Sequence, residues 1–428
     1  MMLTVISVIF FGTIFIGVPV AFGMGLAGAS WILFFEGIEP AILARRFYHA
    51  LGSFPLLAIP LFIMLGVLAD RTQMLPQMVV WLRMLLGRTR GGMGYINVVA
   101  AMLFAGISGT AVSDIASLGR LLIQLMTRAG YPLAYSAALT AATSIIGPII
   151  PPSVAMIIYA LAVGNVSIGA MFAGGAVPGL LFGAGFLAMA WYATWRGKYG
   201  LLLEWPPLRE IARQTVRVIP ILVLPVIIIG GILSGVFTVT ESAAVGVAYT
   251  VLVGFLVKPR LKVKDMYDAT LYSAVISSVA GMLLGAGAIL SWILTFNRVT
   301  QNLADFLVSL TSNPDVFMLL IVLALLVLGM LMDPVPIMIA LAPLLAPIAR
   351  QYGINELQFG LVFVVTCLIG LVTPPVGVIL FMTSGISGVK LEAISLAVFP
   401  FVVWMIVVVG LMILFPQITL WLPKLLGF

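Results

Sequence analysis

Ile149-Ile150-Pro151-Pro152-Ser153 and Val372-Thr373-Pro374-Pro375-Val376 stand 223 residues apart in one 428-residue chain. The same punctuation recurs upstream at the same offset, with Gly106-Ile107-Ser108-Gly109-Thr110 matched by Gly329-Met330-Leu331-Met332-Asp333-Pro334. Downstream, Pro178 is matched by Pro400. A proline pair removes two backbone donors and cannot sit inside a continuing helix. The chain therefore reads as two halves built alike. Each has one break after a short apolar run and a second break at a proline pair.

Composition decides where such breaks occur. The chain is 63% hydrophobic and 8% charged, with a mean hydropathy of +1.24. Soluble domains are nearer half apolar and a quarter charged. The chain is therefore an all-α polytopic membrane protein. No Lys or Arg precedes Arg45, so the start lacks the basic region of a cleavable signal. One cysteine, Cys367, permits no internal disulfide. One Cys and one His, His49, leave no ligand set for a transition metal. No phosphate-binding Gly-x-x-x-x-Gly-Lys-Ser/Thr loop is present, so the chain is not expected to hydrolyse ATP. No cofactor is expected. The net charge of +7 is not gathered into a nucleic-acid footprint.

Apolar runs predict helices near 3–16, 18–35, 51–70, 131–163, 167–195, 217–235, 241–257, 268–296, 355–387 and 390–416. The stretches 92–128 and 314–350 are apolar but break in the middle and read as too short to cross twice. Both are predicted to be re-entrant hairpins, because irregular backbone at membrane depth is tolerated only inside protein or along a watery cavity. Segments 72–90 and 297–312 read as interfacial arms. With an outer N-terminus, 16 of the 21 Lys and Arg fall on the cytoplasmic side, and only Arg45, Arg46, Arg298, Arg350 and Lys424 fall outside. The first hairpin then enters from the cytoplasm and the second from the opposite face, as inverted repeats do. The basic loops around 196–217 and 258–264 read as anchors to membrane lipids.

Two interrupted segments in corresponding halves are the best sequence pointer to a transporter's binding site. At the first tip, Ser108, Gly109, Thr110 and Asp114 offer oxygens beside unpaired helix ends. They fit an oxygen cage for a hard cation such as Na+, or a small-residue packing seam with Asp114 as a cap. Gly329, Asp333 and Pro334 are the counterpart at the second tip. Both Asp114 and Asp333 are expected to be buried, and Asp333 also fits a plain helix cap. Ser144, Gly147 and Ser153 flank Pro151-Pro152, and Thr373 flanks Pro374-Pro375. These breaks line a cavity or simply kink buried helices. Thr240 is expected to cap the helix that starts at Glu241. Arg45-Arg46 either steers an anion or anchors the interface.

The motifs together resemble the DctM-like large membrane (M) subunit of tripartite ATP-independent periplasmic (TRAP) transporters. The resemblance is carried by Phe54-Pro55-Leu56-Leu57-Ala58-Ile59-Pro60-Leu61-Phe62, Gly106 to Gly119, Ile146 to Ser153, Phe237 to Ser242, Gly329 to Pro334, Gly370 to Gly377 and Leu420-Trp421-Leu422-Pro423. Thr110 stands where that family commonly has Ser, and Asp70 where Asn is frequent. The resemblance implies an elevator-type, Na+-coupled importer of an organic acid (a C4-dicarboxylate, sialic acid or other sugar acid) in the bacterial inner membrane. It implies a small membrane (Q) subunit of about four spans and a periplasmic substrate-binding (P) protein as partners. It places Na+ at Ser108, Gly109, Thr110, Asp114, Ser144, Gly147, Ser153, Gly329, Asp333 and Thr373. Pro151, Pro152, Pro334, Pro374, Pro375 and Arg46 are then expected to face the substrate. The expected moving block is 92–163 with 314–387, and the expected scaffold is 1–91, 164–313 and 388–428. A stand-alone Na+/anion symporter of related design is the alternative. Neither an enzyme nor an ATP-driven permease fits, for want of a nucleophile–base pair and a phosphate loop.

Overall fold

The computed structural model describes residues 2–36, 38–72, 74–197, 199, 206–257 and 260–428. Lys198 and Lys258, expected in the two basic loops, lie outside the described residues. Among the described residues all regular structure is helical, and eight helices have the length and apolar character of a membrane span. In the first half, α1 is Met2–Phe15, α2 is Val20–Trp31 with a π turn at Ile32–Glu36, and α3 is Ala41–Leu51. A 3-10 turn at Phe54–Leu57 leads into α4 (Ala58–Arg71), followed by α5 (Met74–Leu86). The first hairpin is α6 (Gly92–Ser108), then α7 (Ala111–Asp114), a π turn at Ile115–Gly119 and α8 (Arg120–Arg128). The first interrupted helix is α9 (Leu133–Ser144) and α10 (Val154–Val163), followed by α11 (Ile168–Gly197).

The second half repeats this. It runs α12 (Leu208–Leu233), α13 (Val239–Leu256), α14 (Val263–Phe296) and α15 (Val299–Leu310). The second hairpin is α16 (Pro314–Leu331) and α17 (Pro334–Gln351). The second interrupted helix is α18 (Glu356–Gly370) and α19 (Val378–Ser387), followed by α20 (Leu391–Leu414) and α21 (Gln417–Leu425). The starts of α6 and α16, α9 and α18, α10 and α19, and α11 and α20 are 222 to 224 residues apart. Both proline pairs, Pro151-Pro152 and Pro374-Pro375, have cis peptide bonds. The two halves therefore share local conformation as well as sequence landmarks.

The halves are exchanged in space. In each, the hairpin packs on its own α9 or α18, but the second piece of the interrupted helix crosses to the other half. Helix α10 packs on α17 and α18, while α19 packs on α9 and the π turn of the first hairpin. Helix α20 lies against α9, and α11 against both α6 and α18. Hairpins, interrupted helices, α11, α20 and α21 thus form one interlocked group. A second group is built on α14, which touches α2, α3 and α4, with α13 on α4 and α12 between α13 and α5. The groups meet along α4 and α12 against α6, α5 against α6, and α14 against α17.

One end of the molecule gathers the basic segments. Arg71 faces Asp265 at 3.9 Å, the Gln214 amide donates to Gln77 O at 3.2 Å, and the Trp81 indole donates to the Thr215 hydroxyl at 3.0 Å. Tyr131 and Thr194 share a hydrogen bond of 2.9 Å. Segments around 71–94, 131, 194, 207–217 and 254–265 therefore lie together, as the charge pattern requires of one membrane face.

Several expectations change. Helix α3 was not foreseen: its three cationic or titratable side chains, Arg45, Arg46 and His49, break any apolar run, and none of its residues is buried. Helix α12 starts nine residues before the expected 217, at Leu208, because a helix continues through an exposed charged turn beyond the apolar window. Helix α14 likewise starts at Val263. The cap at Thr240 is corrected to Thr238. The Thr238 hydroxyl accepts from Glu241 N, and the Glu241 carboxylate accepts from Thr238 N at 2.8 Å, a reciprocal capping box. The two arms of 314–350 are 18 residues each, long enough by length and composition to cross. Length therefore does not make that hairpin re-entrant.

Candidate functional site

Each hairpin tip lies against the break of the interrupted helix in its own half. In the first half α6 ends at Gly109, which has φ +63°, and Gly109 O accepts from Val154 N at 3.3 Å. A side chain at Gly109 would meet Pro152 O at 2.6 Å, so the turn admits only glycine in this packing. Ser153 starts α10 by accepting from Met156 N at 3.2 Å and donating to Pro148 O at 2.5 Å. In the second half Met330 O accepts from Gly377 N at 3.5 Å. A Cβ on Gly329 would lie 3.1 Å from Gly370 Cα and 3.2 Å from Cys367 O. Each tip therefore meets the interruption of a span rather than one of its ends.

The first junction is buried and polar. Thr110 caps α7 by accepting from Ser113 N at 3.3 Å. The Ser108 hydroxyl donates to Asp114 Oδ1 in a short hydrogen bond. Asp114 Oδ2 is buried and has no hydrogen-bond partner. That oxygen points at Gly147: a Cβ there would collide with it and lie 3.2 Å from Ser144 O. Ser108, Asp114, Ser144, Gly147, Ser153, Pro151 and Pro152 are all buried, and Thr110 is half-buried. The Ser144 hydroxyl is turned to Ala141 O at 2.8 Å. An uncompensated carboxylate oxygen inside protein costs several kcal/mol, so the junction suits a cation drawn to oxygen ligands.

The second junction differs. Gly329, Pro334 and Thr373 are buried and Pro374 is half-buried, but Pro375 and Asp333 are exposed. Asp333 was expected to be buried. It starts α17 instead, its Oδ1 accepting from Val335 N at 2.9 Å. The hydroxyl of Thr373 donates back to Ile369 O at 2.7 Å. The sequence symmetry of the two tips therefore does not extend to their carboxylates: Asp114 lies inside and four positions after Thr110, while Asp333 occupies the position of Thr110 itself.

Arg46 is elsewhere. It is exposed on α3, with its guanidinium carbon 5.3 Å from the centre of the Trp292 ring of α14. Reasoning from sequence also missed Asn97. Its side-chain amide donates to the Thr140 hydroxyl at 2.7 Å, and its carbonyl accepts from the Thr143 hydroxyl at 2.9 Å. This buried network fastens α6 to α9 directly behind the first junction. A lone Asn in an otherwise apolar stretch was the available signal.

Comparison with known proteins follows the same outline. Residues 7–418 match the family model of the tripartite ATP-independent periplasmic transporter, DctM component. The chain is 33% identical over 414 residues to the sialic acid TRAP transporter large permease protein SiaM of Vibrio cholerae, covering 97% of this chain and 96% of that one. It is 34% identical over 396 residues to the 2,3-diketo-L-gulonate TRAP transporter large permease protein YiaN of Escherichia coli, covering 91% and 92%. With the isethionate TRAP transporter permease protein DctMQ of Oleidesulfovibrio alaskensis it shares 34% identity over 95% of this chain but 64% of that one. Among solved structures, the YdaH transporter of Alcanivorax borkumensis matches with a TM-score of 0.62 at 15% identity, over 87% of this chain and 86% of that one. That likeness is one of fold.

Proposed function

The chain belongs to the family of the DctM component of tripartite ATP-independent periplasmic transporters, and on that premise we propose that it imports an organic acid across the bacterial inner membrane, driven by Na+ and without ATP. The observation that carries the reading is the first junction, where an unpartnered, buried Asp114 oxygen meets the break of an interrupted helix. Asp114 and Ser108 would hold Na+ there, together with carbonyls freed at the break. Na+ supplies the driving force. The residues of the chain bind it and exclude water. Binding at a break couples the ion to the relation between tip and interrupted helix. The second junction, with Gly329, Asp333 and Thr373, is proposed as its counterpart.

The carrier moves as a block against a wall. The interlocked packing supports a block that includes α11, α20 and α21 with the hairpins and interrupted helices. The wall is α1 to α5 with α12 to α15. An anion in the hydrocarbon core is prohibitively costly, so carriage on an enclosed block avoids exposing it. The relatives named above include a fused DctMQ permease longer than this chain. That supports a small membrane subunit as partner, with a periplasmic binding protein that delivers the acid. The N-terminus and α3 face the periplasm in this reading, and the basic end faces the cytoplasm.

Proteoliposomes holding the chain and its small subunit test this. With the binding protein present, an inward Na+ gradient should drive uptake of one acid from a panel of sialic acid, C4-dicarboxylates, sugar acids and isethionate. No uptake of any of them, or uptake indifferent to Na+, would sink the proposal. Uptake at full rate without a binding protein would favour the stand-alone symporter.

A further inference from the structure

A cleft of about 420 Å³ opens between the two groups of helices at the end where α3 lies. Such a volume lies within the range of small-molecule sites, about 300–1,000 Å³. One wall comes from α3 and α14, and the other from α10 and α17. Its polar lining consists of Arg46, His49, Ser53, Ser291, Trp292 and Thr295, and no Asp or Glu is among the described residues that line it. Arg46 stacks over Trp292 at 5.3 Å. Stacking uses the face of a guanidinium and leaves its edge of N–H donors for a planar oxyanion, the fork geometry that matches a carboxylate.

We propose that this cleft is an entry vestibule that binds an organic monocarboxylate with a hydroxylated body before it reaches the junctions. Arg46 takes the carboxylate and His49 lies one turn away along α3. Hydroxyls of Ser53, Ser291 and Thr295 face the hydroxylated carbons. Among the described residues of the lining Arg46 is the single permanent cation, which favours one carboxylate over two. The walls belong to different groups, α3 and α14 to one and α10 and α17 to the other, so an acid held here bridges them. The vestibule rests on the proposed reading of the chain as an organic-acid carrier. Its chemistry is shared with an anionic lipid headgroup, and the test separates the two sources.

The chain and its small subunit are purified into nanodiscs carrying Ser291→Cys, with Ser53→Cys as an independent reporter should the first fail to fold. Cys367 is fully buried and stays silent. Maleimide labelling is timed with sodium gluconate, with sorbitol as the uncharged counterpart, and with or without phosphatidylglycerol in the disc. Gluconate should slow labelling at least fivefold and sorbitol should not. Arg46→Ala should abolish the protection, and Arg46→Lys should keep part of it. No protection by gluconate at either reporter, equal protection by sorbitol, or protection that comes from phosphatidylglycerol alone would overturn the vestibule. Uptake is measured on the same purified protein without the reporter, reconstituted into proteoliposomes with the binding protein. Uptake without protection sinks the vestibule only, and absence of uptake for every acid sinks the transport reading, whatever the labelling shows.

Discussion

At the residue scale the first junction turns on one carboxylate. Ser108 satisfies Asp114 Oδ1, and Oδ2 has no partner inside the protein. Asp114→Asn removes the charge at nearly constant volume. It is expected to cut uptake at least tenfold and to raise the Na+ concentration needed for half-maximal rate, while the protein still inserts. Asp333→Asn is expected to do less, because Asp333 is exposed and its Oδ1 already serves Val335 N. Equal Na+ dependence in Asp114→Asn and the parent chain would reduce Asp114 to a structural residue. Asn97 carries a different expectation. Asn97→Ala removes the amide that ties Thr140 and Thr143 to α6, while Thr140 still donates to Ser136 O and Thr143 to Thr140 O. Hydrogen bonds between membrane helices are worth roughly 0.6 kcal/mol each, and the space left by the amide adds a cavity cost. The variant should unfold in detergent several degrees lower, and an unchanged midpoint would show that the network is dispensable.

At the element scale the tips and breaks act as pairs. Gly370 sits against Gly329 so closely that a Cβ on Gly370 would overlap the Gly329 backbone. Backbone cannot yield as a side-chain end can. Gly370→Ala is therefore expected to force the second tip off its break and abolish uptake while expression persists. Uptake near the parent rate would mean that the contact is not needed for transport. The positions of these elements were legible from Pro151-Pro152 and Pro374-Pro375, since neither pair fits within a continuing helix. Helix α3 was not legible, because an exposed 11-residue helix with Arg45, Arg46 and His49 has no apolar run to announce it. The capping residue of α13 was misplaced by two positions: Thr238 and Thr240 are the same residue type, and only the reciprocal bond to Glu241 separates them.

At the scale of the whole molecule the proposed movement of a block against a wall is open to test. A Cβ on Gly287 of α14 would lie 3.6 Å from Ile339 Cβ of α17, within the span of a disulfide, across the boundary between the two groups. Cysteines placed at Gly287 and Ile339 should stop uptake when oxidised, and reduction should restore it. A matched control joins Gly25 of α2 to Ala286 of α14 within the wall, where the Cβ separation is 3.7 Å. That tether should leave transport at the parent rate. Equal rates through both tethers would refute movement of the block. Orientation is tested at Lys262, the residue that starts α14 at the basic end. A cysteine there should resist an impermeant thiol reagent in intact spheroplasts, and ready labelling would invert the topology.

The sequence by itself determined that the chain lives in a membrane, that its two halves repeat, and where each half is interrupted. Hydropathy and proline are local properties, so they survive without a fold. It also singled out Asp114, since a carboxylate within an apolar stretch stands out in any reading. Only the tertiary structure decided which of the two tip carboxylates is enclosed. Burial depends on what packs around a residue, and Asp114 Oδ2 is closed in against Gly147 while Asp333 keeps an exposed face at the start of α17. Only the tertiary structure joined α11 and α20 to the hairpins, because an apolar helix carries no mark of its neighbours. The exchange of α10 and α19 between the halves has the same origin. Contacts between residues more than 150 positions apart are set by the packing of surfaces, and no window of sequence contains both partners.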